Sequence, residues 1–159
     1  MYFFIWFLKK NIYFASQFIL ISIYFVMIPP PQLKDQGAKL RVSALIVDDE
    51  PHAIALLKRR LISHSQIQVI GEANSYEEGL IQIKNHNPTL LFLDVNLGRG
   101  KTGFDLLDQL NPKPVVVFTS GDPSNKDEAI RVGAIGFIHK PFFEDTVAEV
   151  VSKIVSHIK

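Results

Sequence analysis

The sequence predicts an α/β domain in which a parallel sheet is wrapped on both faces by helices, preceded by an apolar N-terminal extension. Three observations carry this. From Arg41 onward, short apolar runs alternate with segments whose apolar residues recur at helical spacing, which is the signature of βαβ units. Leu90, Leu91, Phe92 and Leu93 form an unbroken apolar run, as in a strand covered on both faces. That run ends on Asp94, and other runs also end on polar residues, at the place where open α/β sheets collect ligands beyond the carboxyl ends of their strands.

The elements follow in order. Val42 to Val47 is the first strand, followed at once by Asp48, Asp49 and Glu50; Pro51 suits the first turn of a helix that carries Ile54, Leu57, Leu61 and Ile62. Ile67 to Ala73 is the second strand. Ser75 with Glu78 forms a capping-box signal for a helix bearing Leu80, Ile81 and Ile83, which ends near Pro88. Thr89 to Asp94 is the third strand. After a glycine-containing loop from Gly98 to Lys101, Thr102 with Asp105 caps a short helix carrying Phe104, Leu107 and Leu110. Val115 to Phe118 is the fourth strand, ending at Thr119 and Ser120, and Ser124 with Asp127 is expected to cap the next helix, which stops at Gly133. Ile135 to Ile138 is the fifth strand, and a last amphipathic helix from about Phe143 to Ser156 puts Val147, Val150, Val151 and Ile154 on one face.

The totals fit one domain: 159 residues, 47% of them apolar, give room for one sizeable core. A net charge of +1 with both signs mixed offers no basic field for nucleic acid. The absence of cysteine removes disulfide, thiolate and cysteine-zinc chemistry. Residues 1 to 40 are expected to lie outside the domain of residues 41 to 159. Residues 1 to 28 hold the only Trp, three of the four Tyr and six of the twelve Phe, and Asn11 to Leu33 carries no charge. The 17 residues from 12 to 28 approach the length that a membrane helix needs, so an anchor is one expectation and a translation start misplaced upstream is its rival. Pro29, Pro30 and Pro31 end any helix, and the polar stretch to Leu40 reads as a linker.

In a parallel sheet the carboxyl ends share one edge, so Asp48, Asp49, Asp94, Ser120 and Lys140 are expected to meet there. Three neighbouring carboxylates repel one another and raise each other's pKa. A divalent cation resolves that conflict, and all-oxygen ligands with retained waters suit Mg²⁺. Asp94 would then be an ionised oxygen nucleophile, Ser120 a hydrogen-bond donor to a phosphoryl oxygen and Lys140 a compact positive charge. With no histidine base or second nucleophile in the pattern, a phosphate acceptor is favoured over a turnover enzyme.

These residues are similar to those of a known family. The sequence from about Arg41 to Ile158 resembles the receiver domains of two-component response regulators, through LIVDDE (45 to 50), LLFLD (90 to 94), TGFDLL (102 to 107), VVVFTS (115 to 120) and GAIGFIHKPF (133 to 142). The resemblance implies a flavodoxin-like sheet of strand order 2-1-3-4-5. It implies Asp94 as phosphoacceptor, Asp49 as a direct Mg²⁺ ligand, Asp48 as a water-mediated one and Asn96 as a ligand through its backbone carbonyl. Ser120 falls at the switch hydroxyl, with Thr119 arguable beside it, Phe137 at the aromatic switch and Lys140 at the lysine position, followed by Pro141 across a cis peptide. The implied partners are a sensor histidine kinase or histidine phosphotransfer protein and a downstream protein target, in the cytoplasm or tethered to the cytoplasmic side of a membrane; a homodimer is left open. Two departures bear on the acceptor loop: it lacks the usual Pro, and Asp94 to Gly103 is one residue longer than the commonest spacing.

Taken singly, each residue also has a plainer reading: Asp49 and Glu50 as helix-capping acids, Ser120 as a turn residue, Lys140 as a solvated lysine, Phe137 as a core aromatic. Gly98-Arg99-Gly100-Lys101-Thr102 resembles the end of a phosphate-binding P-loop, although Val95 stands where that motif needs Gly. A receiver-like scaffold that works by partner binding without phosphorylation is the other alternative. With no output domain expected beyond Lys159, the signal is expected to pass by protein contact, onward phosphotransfer or a tether.

Overall fold

The structure, a computed structural model, describes residues 41 to 158. Five strands, β1 (Val42–Val47), β2 (Ile67–Ala73), β3 (Leu90–Asp94), β4 (Val115–Ser120) and β5 (Gly136–His139), alternate with five helices, α1 (Pro51–Leu61), α2 (Tyr76–His86), α3 (Gly103–Asp108), α4 (Asn125–Arg131) and α5 (Glu144–Ile158). All pairings are parallel and the order is β2-β1-β3-β4-β5, the topology that the resemblance implied. Residues 1 to 40, with the expected extension and the stretch from 12 to 28, lie outside the described residues. Among the described residues no helix is long and apolar enough to cross a membrane.

The strand period of two splits the core in half. Val42, Ala44, Ile46, Leu90, Phe92, Val117 and Ile138 face one way and pack against Ile54 and Leu57 of α1 and against Val147, Val150, Val151 and Ile154 of α5. Leu45, Val47, Leu91, Leu93, Val116 and Phe118 face the other way, toward Ile83 of α2, Leu106 and Leu107 of α3 and Ala129 of α4. Every residue of β3 is buried, as the unbroken apolar run required. The same alternation decides which side of the sheet each polar residue takes as its strand ends.

Helix starts follow the capping chemistry in two of the three expected places. Thr102 and Asp105 form a full capping box on α3. Ser75 accepts from Glu78 N, but Glu78 Oε2 reaches back to Asn74 N, one residue before the cap. Ser124 makes no side-chain cap: its backbone is already helical and its amide donates to Asp122 Oδ1. The cap fails because Asp122 turns the chain first, so the turn begins two residues earlier than the serine. Strand β5 runs from Gly136 to His139, one residue later than expected, because it pairs in register with β4 from Val117↔Gly136 to Ser120↔His139.

Candidate functional site

Asp48 follows β1 directly and Asp94 ends β3, and Val47 pairs with Leu93 immediately before them, so the two acids leave neighbouring strands side by side. Both have the parity of Ile46 and Phe92, which turns them toward the α1 and α5 side of the sheet. They are nearly covered, at 2% and 3% exposure, whereas Asp49 is exposed. One carboxylate oxygen from each of Asp48, Asp49 and Asp94 lies within 4.8 Å of the other two. Neither Asp49 nor Glu50 acts as a helix-capping acid: Glu50 stands at the N-cap of α1 without a side-chain cap bond, and its amide donates to Asp48 Oδ1.

Lys140 arrives from the opposite edge of the sheet. Its amide donates to Ser120 O (2.8 Å), Phe142 is buried two residues on, and Arg60 Nε holds the Phe142 carbonyl (3.0 Å). This seats the ammonium between the two buried acids, 2.8 Å from Asp48 and 3.0 Å from Asp94, with Glu50 at 3.7 Å on the rim. The Lys140–Pro141 peptide is cis, as implied by the resemblance. Burial pushes the Asp94 carboxyl up to about 6, helped by the neighbouring Asp48 charge and opposed by Lys140. Burial likewise raises Asp48 against the pull of Lys140. Burial works against the ammonium, but its hydrogen bonds to Asp48 and Asp94 outweigh that and hold Lys140 above the usual lysine range. Two buried acids with one ammonium leave negative charge uncompensated, and the exposed Asp49 adds to it.

The loop from Val95 to Thr102 absorbs its extra residue as a small hairpin. Asn96 and Thr102 form an antiparallel bridge, Leu97 N donates to Lys101 O and Lys101 N to Gly98 O. The turn runs through Gly98, Arg99 and Gly100, all at positive φ (73°, 50° and 72°), which the two glycines make accessible. Gly98 also lets the chain press on the acids: a Cβ there would stand 2.9 Å from Asp49 Oδ2. At the far end a Cβ on Gly103 would collide with the Asp94 carbonyl oxygen. The hairpin is a poor phosphate cradle, because five of the seven amides from Leu97 to Gly103 are spent: Leu97 and Lys101 within the turn, Gly98 on Asn96 Oδ1, Thr102 on Asp105 and Gly103 on Val95 O. Lys101 Nζ sits 5.1 Å from the centre of the Tyr76 ring.

Asn96 turns back over Asp94, and its amide donates to Asp94 Oδ2 (2.9 Å). Thr119 pairs with Asp94 across the sheet and points its hydroxyl at Asp94 Oδ1, at 3.5 Å. Ser120, one residue on, has the opposite parity; among the described residues its hydroxyl bonds to Asp122 N (3.1 Å) and Asn125 Nδ2 (3.0 Å) and not to Asp94. Half-buried Phe137 lies on that same side of the sheet, packed with the α2, α3 and α4 half of the core. Sequence reasoning missed the roles of Gly98, Gly103 and Asn125. Counting in twos along β4 would have separated Thr119 from Ser120, but no local signal ties Asn125 to Ser120.

The donor set fits a hard divalent cation. It offers three carboxylates and no soft ligand, with two of the acids raised in pKa by burial and crowding, a strain that a bound cation relieves. A doubly wound parallel domain with an acidic cluster and a bridging lysine on the carboxyl edge is the class called receivers. Residues 44 to 152 match the family model described as the response regulator receiver domain, and the chain belongs to that family. It is 37% identical over 112 residues to the sensory transduction protein LytT of Enterococcus faecalis, covering 69% of this chain and 46% of that protein. It is 32% identical over 120 residues to a response regulatory protein of Vibrio cholerae, covering 74% of this chain and 50% of that one. The chain thus spans about half the length of the curated relatives it matches. Among solved structures, it is similar to the receiver domain of NtrX from Brucella abortus (31% identity, TM-score 0.61, 71% of this chain and 98% of that one). It is also similar to the response regulatory domain of mrkE from Klebsiella pneumoniae (25% identity, TM-score 0.65, 72% and 96%).

Proposed function

We propose that this chain is the phosphoacceptor receiver of a two-component system, taking a phosphoryl group from a histidine kinase or histidine phosphotransfer protein onto Asp94. The observation that carries this is the Asp94 carboxylate at the mouth of β3, with Lys140 Nζ 3.0 Å away and two further acids within ion-binding distance. An Asp94 oxygen forms the new O–P bond as the P–N bond of phosphohistidine breaks, and the electron pair leaves on the imidazole, which takes a proton. Asp48, Asp49, Asp94 and the Asn96 carbonyl would hold Mg²⁺, which when bound neutralises charge on the acids and on the phosphoryl oxygens.

Lys140, already on Asp94, is placed to follow the transferred group as its counter-ion. Thr119, whose hydroxyl lies 3.5 Å from Asp94 Oδ1, and not Ser120 on the opposite face, then reports the event together with Phe137, and the face formed by α4, β5 and α5 passes it to a downstream protein, in the cytoplasm. This is a population shift, so the phosphoryl group must contact one packing better than the other. The chain works as a switch and not as a turnover enzyme. Incubation with labelled acetyl phosphate and Mg²⁺ tests the reading: the wild type should take one label that Asp94→Asn abolishes. Label persisting in Asp94→Asn would move the acceptor elsewhere, and an unlabelled wild type would favour a phosphorylation-independent scaffold.

A further inference from the structure

The hairpin over the acids carries two cations that the acceptor chemistry does not use. Arg99 and Lys101 line a cavity of about 380 Å³ together with Ser75, Tyr76 and Glu77, where α2 begins, and with Asp49, the exposed member of the acid cluster. The Lys101 ammonium is held over the Tyr76 ring, 5.1 Å from its centre. The Arg99 side chain is exposed and makes no hydrogen bond or ion pair among the described residues. Arg99 also stands at a φ of 50°, a left-handed position that glycine would occupy with less strain. The amides of Arg99 and Gly100 are the two that the hairpin leaves free. Asp105, whose charge also feels Lys101, is committed to the α3 cap through Thr102.

The charged walls of the cavity balance, Arg99 and Lys101 against Asp49 and Glu77. A divalent cation on Asp48, Asp49 and Asp94 takes Asp49 out of that balance, which leaves two side-chain cations facing Glu77 alone, and a cleft focuses the resulting field. We infer that this cavity is an anion subsite, switched on by the divalent cation, which binds a phosphate-class dianion through Arg99 and Lys101 and so gathers small phosphodonors beside the acceptor. An oxygen of Asp49 lies within 4.8 Å of one of Asp94, so an anion held against this wall stands next to the reacting carboxylate. The guanidinium fork matches two phosphoryl oxygens at once, and the ammonium adds a point charge. With too few free amides to wrap a phosphate, the hairpin leaves the affinity to these two side chains, and donor and product exchange readily. The delivery of phosphodonors rests on Asp94 being the acceptor; the binding of the anion does not.

The test titrates the full chain with inorganic phosphate, with and without Mg²⁺, and follows amide NMR in the wild type, Arg99→Gln and Glu77→Gln. With Mg²⁺, phosphate should shift the amides of Arg99, Gly100 and Tyr76. Arg99→Gln should weaken binding about 10-fold, the worth of one charge-assisted hydrogen bond, Glu77→Gln should tighten it, and leaving out Mg²⁺ should weaken the wild type by about 10-fold. Labelling by acetyl phosphate then separates the sources of the anion: Arg99→Gln should slow labelling about 10-fold at low donor and less as donor saturates, with inorganic phosphate competing in the wild type. Shifts confined to Asn96 and Lys140, or equal phosphate affinities in wild type and Arg99→Gln, overturn the subsite. Phosphate at the hairpin with labelling indifferent to Arg99→Gln overturns the delivery of donors and assigns the site to free phosphate. Phosphate at the hairpin of a chain that takes no label at Asp94 sinks the acceptor reading and leaves the anion site standing.

Discussion

Asp94→Asn is expected to make the ion-free protein more stable at neutral pH, although it removes one partner of a buried ion pair. The Asp94 carboxyl titrates at about 6 in the fold against 3.8 when free. A carboxyl whose folded pKa is raised binds its proton more tightly folded than unfolded. Its favourable contribution is therefore complete below about 3.8 and is lost as pH rises through about 6. Two units at about 1.4 kcal/mol each set the cost of the ionised form near 3 kcal/mol at pH 7.5. Asparagine has the shape of the protonated acid and no charge to bury. Lys140 keeps its 2.8 Å bond to Asp48, so the substitution leaves no ammonium stranded. Urea unfolding followed by circular dichroism, with chelator present, should show the variant about 2 to 3 kcal/mol more stable at pH 7.5 and the advantage falling to about half by pH 5. A variant less stable than wild type at pH 7.5, or an advantage that grows as pH falls, would refute the account of Asp94 as a carboxylate strained by burial and by Asp48.

Two further outcomes follow from the same geometry. Mg²⁺ at a hundred times its dissociation constant should stabilise the wild type by about 2.7 kcal/mol, and Asp49→Ala should remove most of that gain with little effect on the ion-free protein, since Asp49 is exposed; calorimetric melting with and without the ion reads both. Gly103→Ala should cost about 1 to 3 kcal/mol, because the new methyl meets the Asp94 carbonyl and the Leu93 side chain, whereas Gly100→Ala meets nothing within 4 Å and bears only the strain of its positive φ; paired urea titrations compare the two.

How much was legible in the sequence differs by element. The apolar run ending on Asp94 marked a central strand and its exit, because burial on both faces leaves no room for a polar residue until the chain leaves the core. Thr102 with Asp105 was legible because a capping box is a contact across three residues. Ser124 misled for the complementary reason: its pattern was right, but Asp122 had already turned the chain. The hairpin over the acids was not legible, since Gly98 and Gly103 are required by what lies against them, Asp49 and the Asp94 backbone, and not by their own neighbours in sequence.

The sequence alone determined the order of elements, the two apolar faces of each strand and the set of acids, hydroxyls and lysine leaving the carboxyl edge, because periodicity and capping are local. Only the tertiary structure decided that Thr119 faces Asp94 while Ser120 is held by Asn125, and that Lys140 spans Asp48 and Asp94. Those outcomes depend on the register between strands and on loop contacts between residues far apart in the chain, and a period of two fixes the side of a residue within its own strand without saying what stands opposite it.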